Sequence, residues 1–138
     1  MIKTALSQIG VIEIPGSEDN PQILKYFSEI GHTWVKSEDT AWCSAFMNWV
    51  ALKSGYERSR ELNARSWLDV GEEITDPEPG DVAILWRGSK DSWQGHVGLF
   101  CSKVNNNIWL LGGNQNNMVK VQAYPASRVL GYRRLKKI

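Results

Sequence analysis

The stretch DTAWCSAFMNWVALKSG, residues 39–55, decides the first half of the fold. Phe46 and Trp49 recur at helical spacing and Gly55 is a stop signal, so the stretch predicts an amphipathic core helix. Cys43 stands where this helix begins, at the positive end of the helix dipole, which favours a thiolate. Cys43 is therefore a candidate nucleophile, although a free cysteine is also an ordinary packing residue.

Further helical signals precede and follow this helix. A short helix is predicted from about Lys3 to Ile9. The pair Asn20–Pro21 is a cap and first-turn signal for another helix, which ends at Gly31. The segment NARSWLDVG, residues 63–71, predicts one more helical turn. The first half of the chain is therefore predicted to be helical.

The pattern changes from DPEPGDVAILW, residues 76–86, onward, where short runs of β-branched and aromatic residues alternate with turn signals. The predicted strands are Asp81–Arg87, His96–Ser102, Ile108–Asn114, Val119–Tyr124 and Val129–Leu135. Helices followed by an antiparallel meander indicate an α+β fold. We predict a single domain over residues 1–138, with a helical half at about 1–75 and a sheet half at about 80–138.

The composition excludes several classes of protein. Of the 138 residues, 42% are apolar and 22% are charged, which are globular values, and a net charge of +1 offers no electrostatic case for nucleic acid as a partner. Two cysteines make no disulfide framework. Without a CxxC, an HExxH or a His-rich tract, no metal site and no cofactor are predicted. We expect a monomer.

The opening MIKTALSQIGVIEIPG, residues 1–16, lacks the continuous apolar run of a signal peptide, and no run is long enough to span a bilayer. The expectation is therefore synthesis in the cytoplasm without a signal peptide and no stable membrane association. If the protein acts outside a membrane, another component must release it.

His96 is the candidate base. A thiol nucleophile needs a group that deprotonates it and a third group that orients this base. His96 opens a predicted strand after Gly95 and an exposed loop, where a side chain is rigid yet reachable by substrate. The other histidine, His32, lies in the IGHTW loop without such support and is interpreted as a surface residue.

The third group is predicted to be an amide. A two-residue turn at Asn105–Asn106 would place Gln115 directly opposite His96, and directly opposed residues point to the same face. A bulge at Gly112–Gly113 would bring Asn114 to that place instead. Spacing alone leaves both alternatives open. Where Asn114 orients the base, Gln115 becomes a candidate for substrate binding.

Cys101 is the alternative thiol. It lies five positions after His96 on the same predicted strand, so the two side chains point to opposite faces and Cys101 belongs to the core. The same geometry argues against a disulfide between Cys43 and Cys101, as does a reducing site of synthesis.

Three further residues are predicted to contact the substrate or to support the helix start. Trp42 adjoins Cys43 and Trp93 lies in the loop before His96, so both tryptophans are candidates for the walls of a substrate groove. Asp39 lies just before the helix and is either a helix-start anion or a contact for a substrate amine.

The motifs TAWCSAFMNWV, GDVAILWRGSKDSWQGHVGLF and LLGGNQN occur in the order Cys, His, polar residue. Together they resemble the NlpC/P60 and CHAP superfamily of cysteine peptidases. The resemblance covers nearly the whole chain and is closest to small phage-type, endolysin-like cell-wall hydrolases. These enzymes tend to open as EIPGSEDNPQILKYF does at residues 13–27.

The resemblance implies a papain-like fold, in which the helix of the nucleophile packs on a five- or six-stranded antiparallel sheet. It implies a catalytic domain that hydrolyses amide bonds in peptidoglycan, with Cys43 as nucleophile, His96 as base and Asn114 as the orienting group. CHAP members often carry a glutamate two residues before that asparagine, where this chain has Gly112. The second histidine that NlpC/P60 members often use as third group is not present.

The resemblance therefore implies a peptidoglycan hydrolase with a Cys-His-Asn thiol mechanism, either an endopeptidase or an N-acetylmuramoyl-L-alanine amidase. We expect it to reach the cell wall after release by a holin or a secretion system. A bacteriolytic phage lysin and a toxin delivered between bacteria both fit. The alternatives are a papain-like protease acting on proteins, an acyltransferase acting on lipid, and a non-enzymatic module that binds the wall.

Overall fold

Helices dominate the first half of the chain and strands the second. The computed structural model describes residues 1–14, 19–32 and 42–138. In these ranges the α-helices are α1 (Ile2–Leu6), α2 (Pro21–Ser28) and α3 (Cys43–Ser54), and 3₁₀ helices cover Ala64–Asp69 and Ala126–Arg128. The strands are β1 (Glu72–Ile74), β2 (Val82–Trp86), β3 (Gly95–Val104), β4 (Asn107–Gln115), β5 (Met118–Pro125) and β6 (Val129–Arg134). This order confirms the predicted α+β fold.

These strands form one antiparallel sheet in the order β1-β6-β2-β3-β4-β5. All but β1 match predicted strands. β1 escapes the sequence pattern because it is short and largely exposed, and because opposite charges rather than apolar alternation mark its pairing with β6. Its register places Glu72 opposite Arg134 and Glu73 opposite Arg133.

The cap of α2 follows the local signal in the sequence. The Asn20 side chain accepts a hydrogen bond from the Gln22 backbone N–H at 2.8 Å, and Pro21 occupies the first turn. α1 is shorter than predicted, because it ends at Leu6 and irregular turns continue to residue 10. None of the helices in the described ranges has the length and apolar character needed to cross a membrane.

α3 is the central helix of the fold. It begins at Cys43 and ends at Gly55, whose left-handed φ of 77° provides the expected cap. Every residue from Cys43 to Ala51 is buried, so α3 is enclosed on all sides rather than amphipathic as predicted. Its buried polar residue Asn48 donates to the Glu61 carbonyl at 3.1 Å and accepts from the Arg60 backbone N–H at 2.8 Å. These bonds tie the helix to the segment that follows it.

The sheet carries a large core on one face and a small core on the other. α3 lies on the large-core face, where it packs with Val97, Leu99 and Leu111. The small core on the opposite face consists of Ala83, Leu85, Phe100, Ile108, Leu110 and Tyr124. His96 pairs with Leu85 across strands β3 and β2, so its side chain belongs to the small-core face.

The β3–β4 hairpin is regular at its turn and irregular at its other end. Val104 pairs with Asn107 across the predicted two-residue turn, and a bulge then shifts the register between Phe100 and Ser102. The last regular pair joins Leu99 to Leu111. The beginning of β3 and the end of β4 therefore lie beyond the regular pairing of these two strands, and His96 and Gln115 are found there.

Candidate active site

Cys43 is the first residue of α3, and only 5% of its surface is exposed. The next residue, Ser44, fixes the start of the helix. Its hydroxyl donates to the Glu61 carbonyl at 2.7 Å and accepts a hydrogen bond from the Trp67 indole N–H at 3.0 Å. Both partners belong to the segment between α3 and β1, which packs against the helix start. The thiol is therefore held at a defined position.

Trp42, predicted to form a groove wall, is fully buried. Its indole N–H donates to Oε1 of Glu13 at 2.6 Å, and its ring stacks on Tyr26 with the centroids 6.1 Å apart. This placement corrects the prediction, because a ring without exposed surface offers nothing for a substrate to touch. Trp42 instead anchors the N-terminal segment to the start of α3.

His96 lies near the start of β3 and is 6% exposed. Its Nε2 atom is 2.9 Å from Oε1 of Gln115 and 3.2 Å from the hydroxyl oxygen of Tyr124. The Tyr124 ring also packs against the imidazole, with the centroids 5.2 Å apart. Nε2 therefore makes both polar contacts of the ring, and Nδ1 forms no hydrogen bond with the described residues.

The Gln115 amide determines the tautomer of His96. Its nitrogen donates to the backbone carbonyls of Leu110 at 3.0 Å and Lys120 at 2.7 Å. Because the amide nitrogen is occupied in this way, its oxygen faces the histidine, and Nε2 of the neutral imidazole must carry the hydrogen. This assignment leaves Nδ1 with the free lone pair that a general base uses.

Asn114, which the resemblance matches to the orienting group, is not hydrogen-bonded to His96 in the described structure. It adopts the left-handed conformation with a φ of 55°, which asparagine tolerates better than most residues, and it lines the same cleft as His96. Of the two alternatives that spacing leaves open, the structure therefore places Gln115 rather than Asn114 against the base.

Two glycines make room for this arrangement. A Cβ atom on Gly112 would lie 2.8 Å from Oε1 of Gln115, and a Cβ atom on Gly113 would lie 2.7 Å from Cβ of Phe46. Position 112 is where the resemblance leads us to look for a glutamate. The Gln115 amide occupies the space that such a side chain would need, so in this chain the polar partner of His96 comes from position 115.

Burial keeps both reactive groups neutral. It raises the pKa of the Cys43 thiol, and the N–H groups of Val97 and of the helix start, together with the charge of Arg87, offset only part of this effect. Burial also lowers the pKa of His96 to about 4. At neutral pH the resting pair is therefore a thiol and an uncharged imidazole. The helix start is predicted to favour the thiolate, but the cost of removing the charged sulfur from water is larger.

The Cys43 thiol interacts with strand β3 at Val97, the residue after His96. The N–H of Val97 is close enough to stabilise the thiolate form, and Val97 lies beyond the last regular pair between β3 and β4. In the part of the chain that the structure describes, no hydrogen bond joins the sulfur to the imidazole. Catalytic hydrogen bonds often shorten only as the substrate binds. The charge of a Cys43 thiolate would raise the pKa of Tyr124, the residue that contacts His96, so the thiol lies within electrostatic range of this pair.

A cleft of about 540 Å³ opens over His96. The described residues that line it are Glu13, Arg87, His96, Asn114, Asn116, Asn117, Gln122, Tyr124 and Arg128. Every one of these side chains carries a polar or charged group, so the cleft suits a polar peptide better than an apolar ligand. Two arginines and one glutamate give these lining residues a net charge of +1 when His96 is neutral.

Of the other two predicted contact residues, one does not line this cleft and the other lies outside the described ranges. Trp93 is 77% exposed and is not among the described residues that line the cleft. Its loop is held in place by Arg65, whose guanidinium donates to three backbone carbonyls between residues 89 and 94. A substrate contact by Trp93 stays a prediction, and Asp39 lies outside the described residues.

The second cysteine and the second histidine are separate from this site. Cys43 and Cys101 are both free thiols, and Cys101 packs against the large core. Nε2 of His32 lies 3.1 Å from the Arg60 carbonyl oxygen. Across residues 1–14, 19–32 and 42–138, no group of three or more His, Cys, Asp and Glu residues is placed to hold a metal ion.

Three residues that line the cleft are not predicted from the sequence: Tyr124, Arg87 and Arg128. Tyr124 lies in a predicted strand, but its position relative to β3, two strands away, cannot be read from spacing. Arg87 directly follows β2 and precedes the loop that leads to His96, and this adjacency is the signal that points to it. Arg128 ends a 3₁₀ turn after β5 and has no comparable signal.

The CHAP domain family model matches residues 29–114, more than half of the chain. The matched range includes Cys43, His96 and Asn114 and ends one residue before Gln115. No curated protein matches the chain. CHAP domains are typically hydrolases that act on peptidoglycan, and the six-stranded antiparallel sheet with its central helix is consistent with their papain-like fold. The chain belongs to the CHAP domain family, and so to the superfamily that its motifs indicate.

Proposed function

We propose that this protein is a peptidoglycan hydrolase that cleaves an amide bond of the stem peptide by a thiol mechanism. Cys43 is the nucleophile, His96 is the general base and Gln115 orients the base. The observation that carries the proposal is the 2.9 Å hydrogen bond between His96 and Gln115, together with a cysteine that begins a buried helix. Gln115 takes the role for which the resemblance implies Asn114.

Catalysis begins with a proton transfer. Nδ1 of His96 takes the proton of the Cys43 thiol as the sulfur attacks the carbonyl carbon of the substrate. Gln115 continues to accept the hydrogen bond from Nε2 and so stabilises the imidazolium and holds its ring in place. Because the resting pair is neutral, the thiolate is generated during the attack rather than stored beforehand.

The oxyanion of the tetrahedral intermediate forms next to the start of α3. The backbone N–H of Cys43 belongs to the first turn, whose N–H groups have no partner within the helix, so it is available as a donor. Protonated His96 then gives its proton to the leaving amine as the C–N bond breaks, which leaves a thioester on Cys43.

The second half of the reaction regenerates the enzyme. His96 removes a proton from a water molecule, and the resulting hydroxide attacks the thioester carbon. The C–S bond breaks, the thiolate takes the proton back from His96, and the product leaves as a carboxylic acid that loses its proton to water. A new amine and a new carboxyl end are therefore the chemical signature of the proposed activity.

Mass spectrometry of fragments released from purified sacculi tests the proposal. Wild type and the control Cys101→Ala are expected to release fragments with new amine and carboxyl ends, whose masses identify an endopeptidase or an amidase. Cys43→Ala is expected to release none. Sacculi left intact by wild type with a reduced Cys43 would contradict the proposal and would favour a protein or lipid substrate, or a wall-binding module.

The setting we propose is a bacteriolytic enzyme that reaches the wall after release by a holin or a secretion system. The resemblance of residues 13–27 to the opening of phage-type enzymes supports a lysin over a delivered toxin. Expression with and without a coexpressed holin tests this setting. Lysis only with the holin is expected, and lysis without it would contradict the proposed dependence on release.

A further inference from the structure

Two arginines converge on the cleft beside His96. Arg87 directly follows β2, and Arg128 ends the 3₁₀ turn between β5 and β6. The two are brought together through Trp86, because Nε and Nη2 of Arg128 both donate to the Trp86 carbonyl at 3.1 Å, one residue before Arg87. Both arginines line the cleft together with His96.

Neither arginine has an acidic partner among the described residues. The ion pairs found there join Lys53 to Glu29, and Arg134 to Glu78 and Asp81. Glu13 is the acidic residue among the described cleft lining, and its Oε1 accepts the indole N–H of Trp42. The cleft therefore presents two arginines that form no ion pair with the described residues, against the single carboxylate of Glu13.

Arg128 is held in a fixed orientation. Besides its two bonds to the Trp86 carbonyl, its guanidinium carbon lies 5.8 Å from the centroid of the Trp86 ring and 5.5 Å from that of the Tyr124 ring. A guanidinium that is already ordered loses less entropy when it binds an anion. Arg87, in contrast, is exposed and can adjust to the bound group.

The remaining lining favours a peptide that carries an anion. Four of the lining side chains are uncharged amides, which can bond to peptide N–H and carbonyl groups without repelling a carboxylate. They are Asn114, Asn116, Asn117 and Gln122. A carboxylate is the anionic group of a peptide, and arginine binds it through paired hydrogen bonds.

We propose that Arg87 and Arg128 form a subsite for a free carboxylate of the stem peptide close to the scissile amide, so that the enzyme selects carboxylate-bearing stems over their carboxamide forms. This inference rests on the proposed function, because it assigns the substrate feature that the same cleft recognises.

The test compares two forms of one substrate. Soluble muropeptides are left native or are amidated with carbodiimide and ammonia, and kcat/KM is measured for each. Because both forms use the same thiol and imidazole, the ratio of the two values cancels any effect of the arginines on that pair. Hydrogen bonds to charged groups predict a preference of about tenfold to a hundredfold for the native form in wild type.

Variants assign the preference to the arginines. The ratio is expected to fall to within about threefold in the double variant Arg87→Gln/Arg128→Gln, where both charges are lost. Arg128→Lys keeps the charge but loses the paired donors, and Arg87→Gln alters an exposed residue, so both single variants should fold and show intermediate ratios. Lys90→Gln removes one charge from the same loop outside the cleft lining and should keep the wild-type ratio.

Binding to Cys43→Ala protein, measured by calorimetry, separates this inference from the proposed function. Equal cleavage of both forms by wild type, or a preference that survives in the double variant, would overturn the subsite while leaving the hydrolase intact. If neither form is cut but the native form binds more tightly and this difference vanishes without the arginines, the subsite stands and the proposed function fails. Equal binding with no cleavage would overturn both.

Discussion

At the turn of the β3–β4 hairpin, Val104 pairs with Asn107 and the ladder is regular; at the other end, regular pairing stops at Leu99 and Leu111. The turn end is exposed. The other end, called the open end because the two strands no longer pair there, is covered by α3 and by the neighbouring strand β5. The same two strands thus build a plain hairpin at one end and the candidate active site at the other.

The difference shows how an interrupted strand ladder can accommodate catalytic side chains. At the turn end, the backbone groups of the two strands pair with each other. At the open end, the Gln115 side chain bonds to the backbone carbonyls of Leu110 and Lys120. The same amide presents its oxygen to His96. One side chain therefore links β4 and β5 where their register shifts and also orients the base.

The largest expected effect concerns the thiol at the open end. Cys43→Ala should lower the rate of sacculus hydrolysis by about 10⁴-fold or more, because no other group can form the covalent intermediate. A turbidity assay of sacculi measures this loss. Cys101→Ala is the matched control, since it removes the other thiol, and its rate should stay within about twofold of wild type. A similar loss in both variants would indicate damage to the fold instead.

The second largest expected effect, on kcat, distinguishes the role of Gln115 from that of Asn114. Gln115→Ala should lower kcat by about 10- to 100-fold, because the base loses the group that fixes its tautomer. It should also lower the free energy of unfolding by about 1–3 kcal/mol, because two backbone carbonyls lose their donor. Asn114→Ala should act mainly on KM, since its side chain lines the cleft. Kinetics on a soluble muropeptide give both constants, and a larger loss of kcat in Asn114→Ala would assign the orienting role to Asn114.

A stability measurement probes the close approach of α3 to the open end. Gly113→Ala should lower the free energy of unfolding by about 1–3 kcal/mol, because the new Cβ would lie 2.7 Å from Cβ of Phe46 and 2.8 Å from Cζ3 of Trp42. Gly131→Ala is the control, since its Cβ meets only the tip of the flexible Leu68 side chain at 3.2 Å. Urea unfolding compares the stability of the two variants. Equal midpoints would contradict a close contact between α3 and Gly113.

The smallest effect is the change in stability over a single pH unit. Burial lowers the pKa of His96 from 6.5 to about 4 in the folded chain. Between these values the unfolded chain binds a proton that the folded chain excludes, so stability is full above pH 6.5 and falls as the pH is lowered. The slope should be about 1 kcal/mol per pH unit between pH 5 and 6 in urea titrations. His96→Gln should flatten this slope, and an equal slope in the variant would place its source elsewhere.

Much of this arrangement can be predicted from local sequence signals. The position of Cys43 follows from the apolar helix behind it and from the Gly55 cap, and the Asn105–Asn106 turn correctly predicts that Val104 pairs with Asn107. These features depend on a few neighbouring residues, so periodicity and turn chemistry suffice to find them. The α+β class follows from the same signals.

The choice between Gln115 and Asn114 could not be made in this way. It depends on two register shifts in the sheet, one between Phe100 and Ser102 and one between Gly112 and Gln115. The second shift accompanies the packing of α3 against Gly113, a contact between residues far apart in the chain. Spacing along one strand carries no information about such a contact.

Trp42 illustrates a second limit of sequence reasoning. Adjacency to Cys43 suggested a groove wall, but the direction of a side chain just before a helix depends on what packs there. The N-terminal segment supplies Glu13 as a hydrogen-bond acceptor and α2 supplies Tyr26 as a stacking partner, and together they bury the indole. Neither partner can be recognised from the sequence around the cysteine.

The central claim is that Gln115 holds His96 as a neutral base with its proton on Nε2. Nitrogen-15 NMR of the imidazole rings at pH 7 tests this directly, and the chain has only two histidines to assign. The expected spectrum shows a protonated Nε2 and an unprotonated Nδ1 for His96 in wild type, and a loss of this fixed tautomer in Gln115→Ala. A charged ring at pH 7, or a proton on Nδ1, would contradict the account.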